Sequence, residues 1–245
     1  MVTLRADDPA AVALAAAIRG GDLQSLERLL GERPGLAAAR IVDAKGGVRT
    51  PLHIATDWPG HFPNGPAVVA LLVRAGGDPN APVEGSWHAE TPLHWAASSD
   101  DVEVLDALLD AGAEIEAPGA SIGGGTPLDD AVAFGQWQVA RRLVERGART
   151  RLWHAAALGL MDRLEEAFAR TPPPTPEQVT EAFWQACHGG QRQAAEYLLD
   201  QGADLNWVPT WDEHTPLGMA LESGAEDLVE WLRGKGAGSA GPGGS

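Results

Sequence analysis

The amino-acid sequence predicts an all-α protein built from repeats. A four-residue phrase, Thr-Pro-Leu-His, occurs at Thr50 to His53 and again at Thr91 to His94. Shortened forms stand at Thr126-Pro127-Leu128 and Thr215-Pro216-Leu217. Each is followed by an alanine-rich stretch and then by an amphipathic segment that ends near a glycine. Residues Val102 to Ala113 show the pattern best: apolar side chains fall at helical spacing, and Gly112 stands where a left-handed residue ends a helix. The phrase is itself a helix start. Thr caps, Pro fills a first-turn position that needs no N–H, and Leu enters the core.

This recurring phrase resembles that of the ankyrin repeat, and the resemblance covers nearly the whole chain. It implies a solenoid of about seven helix–turn–helix units with short or irregular fingers, in which first helices and fingers line a concave groove. The motif-leucine equivalents are Leu14, Leu52, Leu93, Leu128, Leu152, Phe183 and Leu217. They place the units near residues 9–46, 50–80, 91–115, 126–148, 150–170, 180–205 and 215–237 of a domain spanning 1–237. The family period is about 33 residues. The first and last units lack the full phrase, as terminal capping repeats do. The second carries an insertion, Trp58 to Asn64, between its helices, and a long finger follows at Ala81 to Glu90. The fourth is joined to the fifth by only 24 residues, Leu128 to Leu152, through Arg146 to Arg151, which leaves no room for a finger. The fifth ends in the proline-rich Thr171 to Pro176, and the sixth in Asn206 to His214 with Trp207 and Trp211. Gly234 to Ser245 reads as a flexible tail, assigned to 238–245 beyond the last unit.

Composition limits the partners. The chain has 245 residues, 34 acidic and 18 basic, for a net charge of −16. Nucleic acid and anionic membranes need a basic surface, so neither is an expected partner. The single cysteine, Cys187, excludes a disulfide framework. The apolar run Ala10 to Ile18 is too short to span a bilayer and follows Asp7 and Asp8 rather than basic residues, so a cytoplasmic protein is expected. Two lysines against sixteen arginines, with abundant Ala and Gly, associate the sequence with a GC-rich bacterial genome. Nine tryptophans must fill gaps or line a binding surface.

The resemblance implies that residues two past the motif leucine face the groove: Ile54, Trp95, Asp130, His154, Gln185 and Met219. One turn further lie Asp57, Ser98, Ala133, Ala157, His188 and Glu222. From the loops, Trp58, Trp87, His88, Glu90 and Trp211 reach toward the same face. The candidate groove is therefore Asp57, Trp58, Trp87, His88, Trp95, Asp130, His154, Gln185, His188 and Trp211. Two readings stand side by side. One is non-catalytic recognition of a basic or amphipathic polypeptide, with tryptophans as anchors. The other is a small-molecule pocket in which Asp130 and His154 act as an acid/base pair, with Glu90 as a second acid–base group. That reading requires Asp130 and His154 to meet. His53 and His94 are expected to hydrogen-bond backbone between repeats. Trp153, Trp184 and Asp129 replace that histidine in later units, the two tryptophans for core packing or for ligand contact. No phosphate loop, nucleophile elbow or metalloprotease helix occurs, and neither cofactor nor metal is implied.

Overall fold

The computed structural model describes residues 2–238. Among them are fourteen α-helices in seven consecutive pairs. The chain divides into two compact units that meet in sequence at Ala148 and Arg149. The first holds α1 (Pro9–Gly20) with α2 (Leu23–Glu32), α3 (Pro51–Ala55) with α4 (Gly65–Arg74), α5 (Pro92–Ser98) with α6 (Val102–Asp110), and α7 (Pro127–Ala133) with α8 (Trp137–Glu145). The odd-numbered helices pack in series and the even-numbered ones form a second layer. The second unit holds α9 (Leu152–Leu158) with α10 (Met161–Ala169), α11 (Pro176–His188) with α12 (Arg192–Asp200), and α13 (Pro216–Glu222) with α14 (Glu226–Gly234). There α11 packs between α9 and α13.

Caps explain where the helices begin. Thr50, Thr91 and Thr126 are N-caps with proline at the first helical position. The residue three further on closes a capping box. His53 Nδ1 accepts from the Thr50 N–H at 3.2 Å, and Asp129 Oδ2 accepts from the Thr126 N–H at 2.6 Å. Two of the second helices, α2 and α6, start on aspartates: Asp22 accepts from the Ser25 N–H at 3.0 Å and Asp101 from the Val104 N–H at 3.2 Å. Leu52, Leu93 and Leu128 are fully buried beneath the alanines that let neighbouring helices approach.

The helical repeats agree with the predicted class, but the chain also forms a small sheet. Strand β1 (Thr3–Arg5) pairs in parallel with β2 (Arg40–Val42), which pairs antiparallel with β3 (Val48–Arg49). The β2–β3 turn is tied by Asp43, whose Oδ1 accepts from the N–H groups of Lys45 at 2.7 Å and Gly47 at 2.9 Å. The predicted finger continues this edge: Val48 and Glu84 exchange backbone hydrogen bonds of 2.8 and 2.9 Å. The insertion at Trp58 to Asn64 does lie between α3 and α4, clamped on both sides. Asn64 Nδ2 donates to the Gly21 carbonyl at 2.9 Å, and the His61 N–H donates to Asp101 Oδ2 at 2.6 Å.

The second unit departs from the sequence alignment at α9. From cap to left-handed residue, the earlier repeat runs Thr126 to Gly135, whereas α9 runs Arg151 to Gly159, one residue shorter. Counted from the cap, Trp153 therefore takes the motif-leucine place and His154 the motif-histidine place. Gly234 closes α14, and the Gly238 N–H donates to Asn206 Oδ1 at 2.8 Å. Residues 239–245 lie outside the described residues.

Candidate functional site

The motif histidines organise the site. His53 is fully buried, and burial lowers its pKa to about 4. It is neutral at pH 7, with Nδ1 accepting from the cap and Nε2 donating to the Glu90 carbonyl at 3.1 Å. This bond fixes the end of the finger and so places the Glu90 side chain. His94 repeats the arrangement one unit on, its Nε2 facing the Gly125 carbonyl at 3.5 Å, and burial lowers its pKa to about 4 as well.

Glu90 is one wall of an open cavity of about 310 Å³ in the first unit. Five predicted residues meet there: Asp57, Trp58, Glu90, Trp95 and Ser98. Trp95 is half-buried, its indole edge-on to the His53 ring at 5.0 Å between centroids. Trp58 is 78% exposed and forms the outer wall. Phe134, half-exposed just before Gly135, completes the apolar lining and is not among the residues expected from the sequence. Its signal there is a large aromatic directly before the left-handed residue that follows a first helix, where other repeats carry Gly20, Ser99, Leu158, Gly189 and Ser223. Ser99 and Ser121 are further lining residues that the repeat pattern does not single out.

The charges around this cavity are not equivalent. Asp57 already accepts from Arg19 at 2.7 Å and from Arg49 at 3.1 Å. Burial pushes the Glu90 carboxyl above its usual range, while the Trp95 indole and His88 favour its ionised form. Asp130 is fully buried. Its Oδ1 accepts from Ser121 Oγ at 2.8 Å and from the Ile122 N–H at 3.3 Å, and its Oδ2 has no hydrogen-bond partner. Burial raises its pKa to about 6; the Ser121 hydrogen bond opposes this and the nearby Glu90 charge adds to it. Ser121 thus links the cavity wall to a buried acid. The glycine-rich stretch around it is a closed loop, with the Ala120 N–H donating to the Gly125 carbonyl at 3.0 Å.

Several expected groove positions lie elsewhere. Ile54, Asp130, His154, Gln185 and Met219 are all buried. At Ile54, Asp130, Gln185 and Met219 the place two past the leucine is covered by neighbours, whereas Trp95 at the same place is half-buried and lines the cavity. Trp87 is fully exposed and does not line the cavity, and His88 is half-buried beside it. In the second unit, His154 Nδ1 accepts from the Arg151 N–H at 3.1 Å, so that nitrogen is committed to capping α9. Gln185 Oε1 is buried without a hydrogen-bond partner. His188 stacks on Trp184 at 5.7 Å. Trp211 is 62% exposed and meets Trp207 edge-on at 5.7 Å.

Of the two roles open to Trp184, core packing is the one it takes. It is buried, and its Nε1–H donates to the His214 carbonyl at 2.9 Å. His214 directly precedes a cap threonine, as Glu90 and Gly125 do. The indole thus makes the inter-repeat bond that histidine makes elsewhere. Trp184→Phe is expected to cost about 1 kcal/mol, since it leaves that carbonyl without its donor. Urea unfolding of the variant checks this.

Among the described residues, no group of His, Cys, Asp and Glu is arranged to hold a metal ion. No described helix is long and apolar enough to cross a membrane.

A family profile described as "Ankyrin repeats (3 copies)" matches residues 12–119, 63–152 and 152–239. The chain is 30% identical over 183 residues to the Ankyrin repeat and KH domain-containing protein CBG24701 of Caenorhabditis briggsae, covering 70% of this chain and 7% of that protein. It is 29% identical over 182 residues to the Ankyrin repeat and KH domain-containing protein mask-1 of Caenorhabditis elegans, again 70% of this chain and 7% of that protein. Similarity to the human Palmitoyltransferase ZDHHC13 is 33% over 92 residues, 38% of this chain and 13% of the enzyme. The chain thus spans only a small part of the length of these relatives.

Proposed function

Because the chain belongs to the ankyrin repeat family, whose repeats generally serve protein–protein interaction, we propose that it recognises a polypeptide and seats a cationic side chain of it in the first unit's cavity. The supporting observation is the joining of apolar aromatic walls, Trp58, Trp95 and Phe134, to the half-buried carboxylate of Glu90. Aromatic faces attract a cation within about 6 Å, and a carboxylate in a partly dry site attracts it further. Asp57 is matched by Arg19 and Arg49, so Glu90 supplies the wall's unmatched charge. The net charge of −16 steers a basic segment toward the protein.

The test is a calorimetric titration with lysine- and arginine-containing peptides set in apolar flanks. Trp58→Ala and Glu90→Gln are each expected to weaken binding about tenfold or more, equivalent to about 1.4 kcal/mol. Neither should alter unfolding by more than about 0.5 kcal/mol, because Trp58 is exposed and Glu90 is held through its backbone. Unchanged affinity in both variants would contradict the proposal. A cavity of about 310 Å³ is also at the small end of ligand sites. That volume supports a second reading, a free organic cation, distinguished by binding of an alkylammonium with no peptide attached.

A further inference from the structure

The hydroxyl groups of the cavity around Glu90 all face one way in hydrogen-bonding terms. Thr56, Ser98, Ser99 and Ser121 line it. A hydroxyl has one proton to donate and two lone pairs with which to accept. In all four residues the proton is committed to a group that only accepts. Thr56 Oγ1 donates to the Leu52 carbonyl at 3.1 Å and lies 3.2 Å from that of His53. Ser98 Oγ donates to the His94 carbonyl at 3.0 Å, and Ser99 Oγ to the Trp95 carbonyl at 3.0 Å. Ser121 Oγ donates to Asp130 Oδ1 at 2.8 Å.

The local sequence explains these bonds. Ser98 and Ser99 reach back one turn at the end of α5, and Thr56 does the same from the C-cap of α3. Ser121 turns its proton away from the cavity because the buried Asp130 takes it. The hydroxyls are therefore left with lone pairs alone. Thr56 and Ser99 are buried in the floor, whereas Ser98 and Ser121 are half-buried and within reach of a ligand. The Glu90 carboxylate also accepts only, and the Trp95 indole N–H is engaged with it. Arg19 and Arg49 are turned onto Asp57, and neither is among the lining residues. Three reachable acceptors thus stand on three segments: Glu90 on the finger, Ser98 on α5 and Ser121 on the loop before α7.

This lining discriminates among cations. A quaternary ammonium suits aromatic walls but has no N–H, so it would leave these acceptors desolvated and unpaired. A primary ammonium brings its donors on one compact head. A guanidinium carries five N–H donors spread in a plane, and its flat face stacks on aromatic rings such as Trp58, Trp95 and Phe134. We propose that the group selected by this cavity is a guanidinium, the side chain of an arginine in the partner polypeptide, recognised by its N–H donors as well as by its charge. This inference rests on the reading of the cavity as a cation site and adds the identity of the cation.

The experiment is isothermal titration of the full chain with three capped pentapeptides, identical except for a central arginine, lysine or trimethyllysine between leucines. The arginine peptide is expected to bind tightest, about threefold tighter than lysine and about tenfold or more tighter than trimethyllysine. Ser98→Ala removes one acceptor, and alanine is the better helix former, so the fold is kept. That variant is expected to bind the arginine peptide about threefold more weakly and the trimethyllysine peptide within about twofold of wild type. Trimethyllysine or lysine binding as tightly as arginine would overturn the inference and leave the cation site standing. An equal loss for all three peptides in Ser98→Ala would also overturn it, because the hydroxyl would then act on shape rather than as an acceptor. No saturable binding of any peptide would overturn both the inference and the reading beneath it.

Discussion

Gly189→Ala is expected to destabilise the second unit by about 2–3 kcal/mol, the upper range for overpacking a dense interface. The backbone is not the reason. Gly189 has φ −80° and ψ 0°, which alanine adopts without strain. The reason is space. A Cβ there would run into the Ala157 carbonyl oxygen and lie 2.8 Å from its carbonyl carbon. Those are backbone atoms of α9, which packs directly on α11. They can yield only if the two helices part, and parting them opens the core around Phe183 and Trp184. Gly31→Ala is the control. Gly31 lies inside α2, and nothing stands within 4 Å of the place an alanine methyl would take. It is expected to gain about 0.5–1 kcal/mol from helix propensity alone. Urea denaturation of the two variants should therefore shift in opposite directions.

Asp130→Asn is expected to stabilise the protein by about 2 kcal/mol at pH 7 and to remove one component of its pH dependence. The wild-type carboxyl is buried, with one oxygen unpartnered and a pKa of about 6 against an ordinary 3.8. The folded state thus binds this proton more tightly than the unfolded chain. Below about pH 4 the acid is protonated in both states and carries no penalty. Between about pH 4 and 6 the unfolded chain releases the proton first, so the acid's contribution to stability falls as pH rises, and the full penalty applies above pH 6. Asparagine keeps the acceptor for Ser121 and Ile122 and carries no charge to bury. His53 and His94 act in the opposite direction over the same window: each is held neutral with a pKa of about 4, so their contributions are complete above about pH 6.5 and are lost as pH falls. The difference between wild type and variant isolates Asp130. It should be largest at pH 7 to 8 and vanish near pH 4. A variant less stable than wild type at pH 7 would mean that the ionised carboxylate is itself held by a compensating partner.

The helical repeats are legible in the sequence because their signals are local. A cap threonine, a proline in the first turn and a leucine of fixed phase need no knowledge of the rest of the fold. The β1–β2–β3 sheet is not legible. Thr3 to Arg5 pairs with residues about 37 positions away, and a three-residue strand has no period of its own. The Asp43 to Gly47 turn is readable in principle from its Asp and paired glycines, and Val48 marks the strand that follows. Counting from the leucines places His154 one position out of register, because α9 is one residue shorter from cap to glycine than α7. Register counted from a leucine cannot detect such a deletion, whereas the cap hydrogen bond does. Asp57, Trp58, Glu90 and Trp95 can be nominated from the sequence, because insertion and finger both stand out by length. Their convergence depends on His53 reaching the Glu90 carbonyl, a contact 37 residues long in sequence. Trp87 is nominated on residue type alone, and it stands in solvent.

The central claim is the place where a partner's cationic side chain is held. Hydrogen exchange of the full chain, with and without a saturating basic peptide, measures it most directly. Slowed exchange at residues 56–58, 90–99 and 121–134, with little change at residues 176–234, is the expected result. Peptide-induced protection confined to residues 176–234, or a protected first unit that is unchanged by Glu90→Gln, would contradict it.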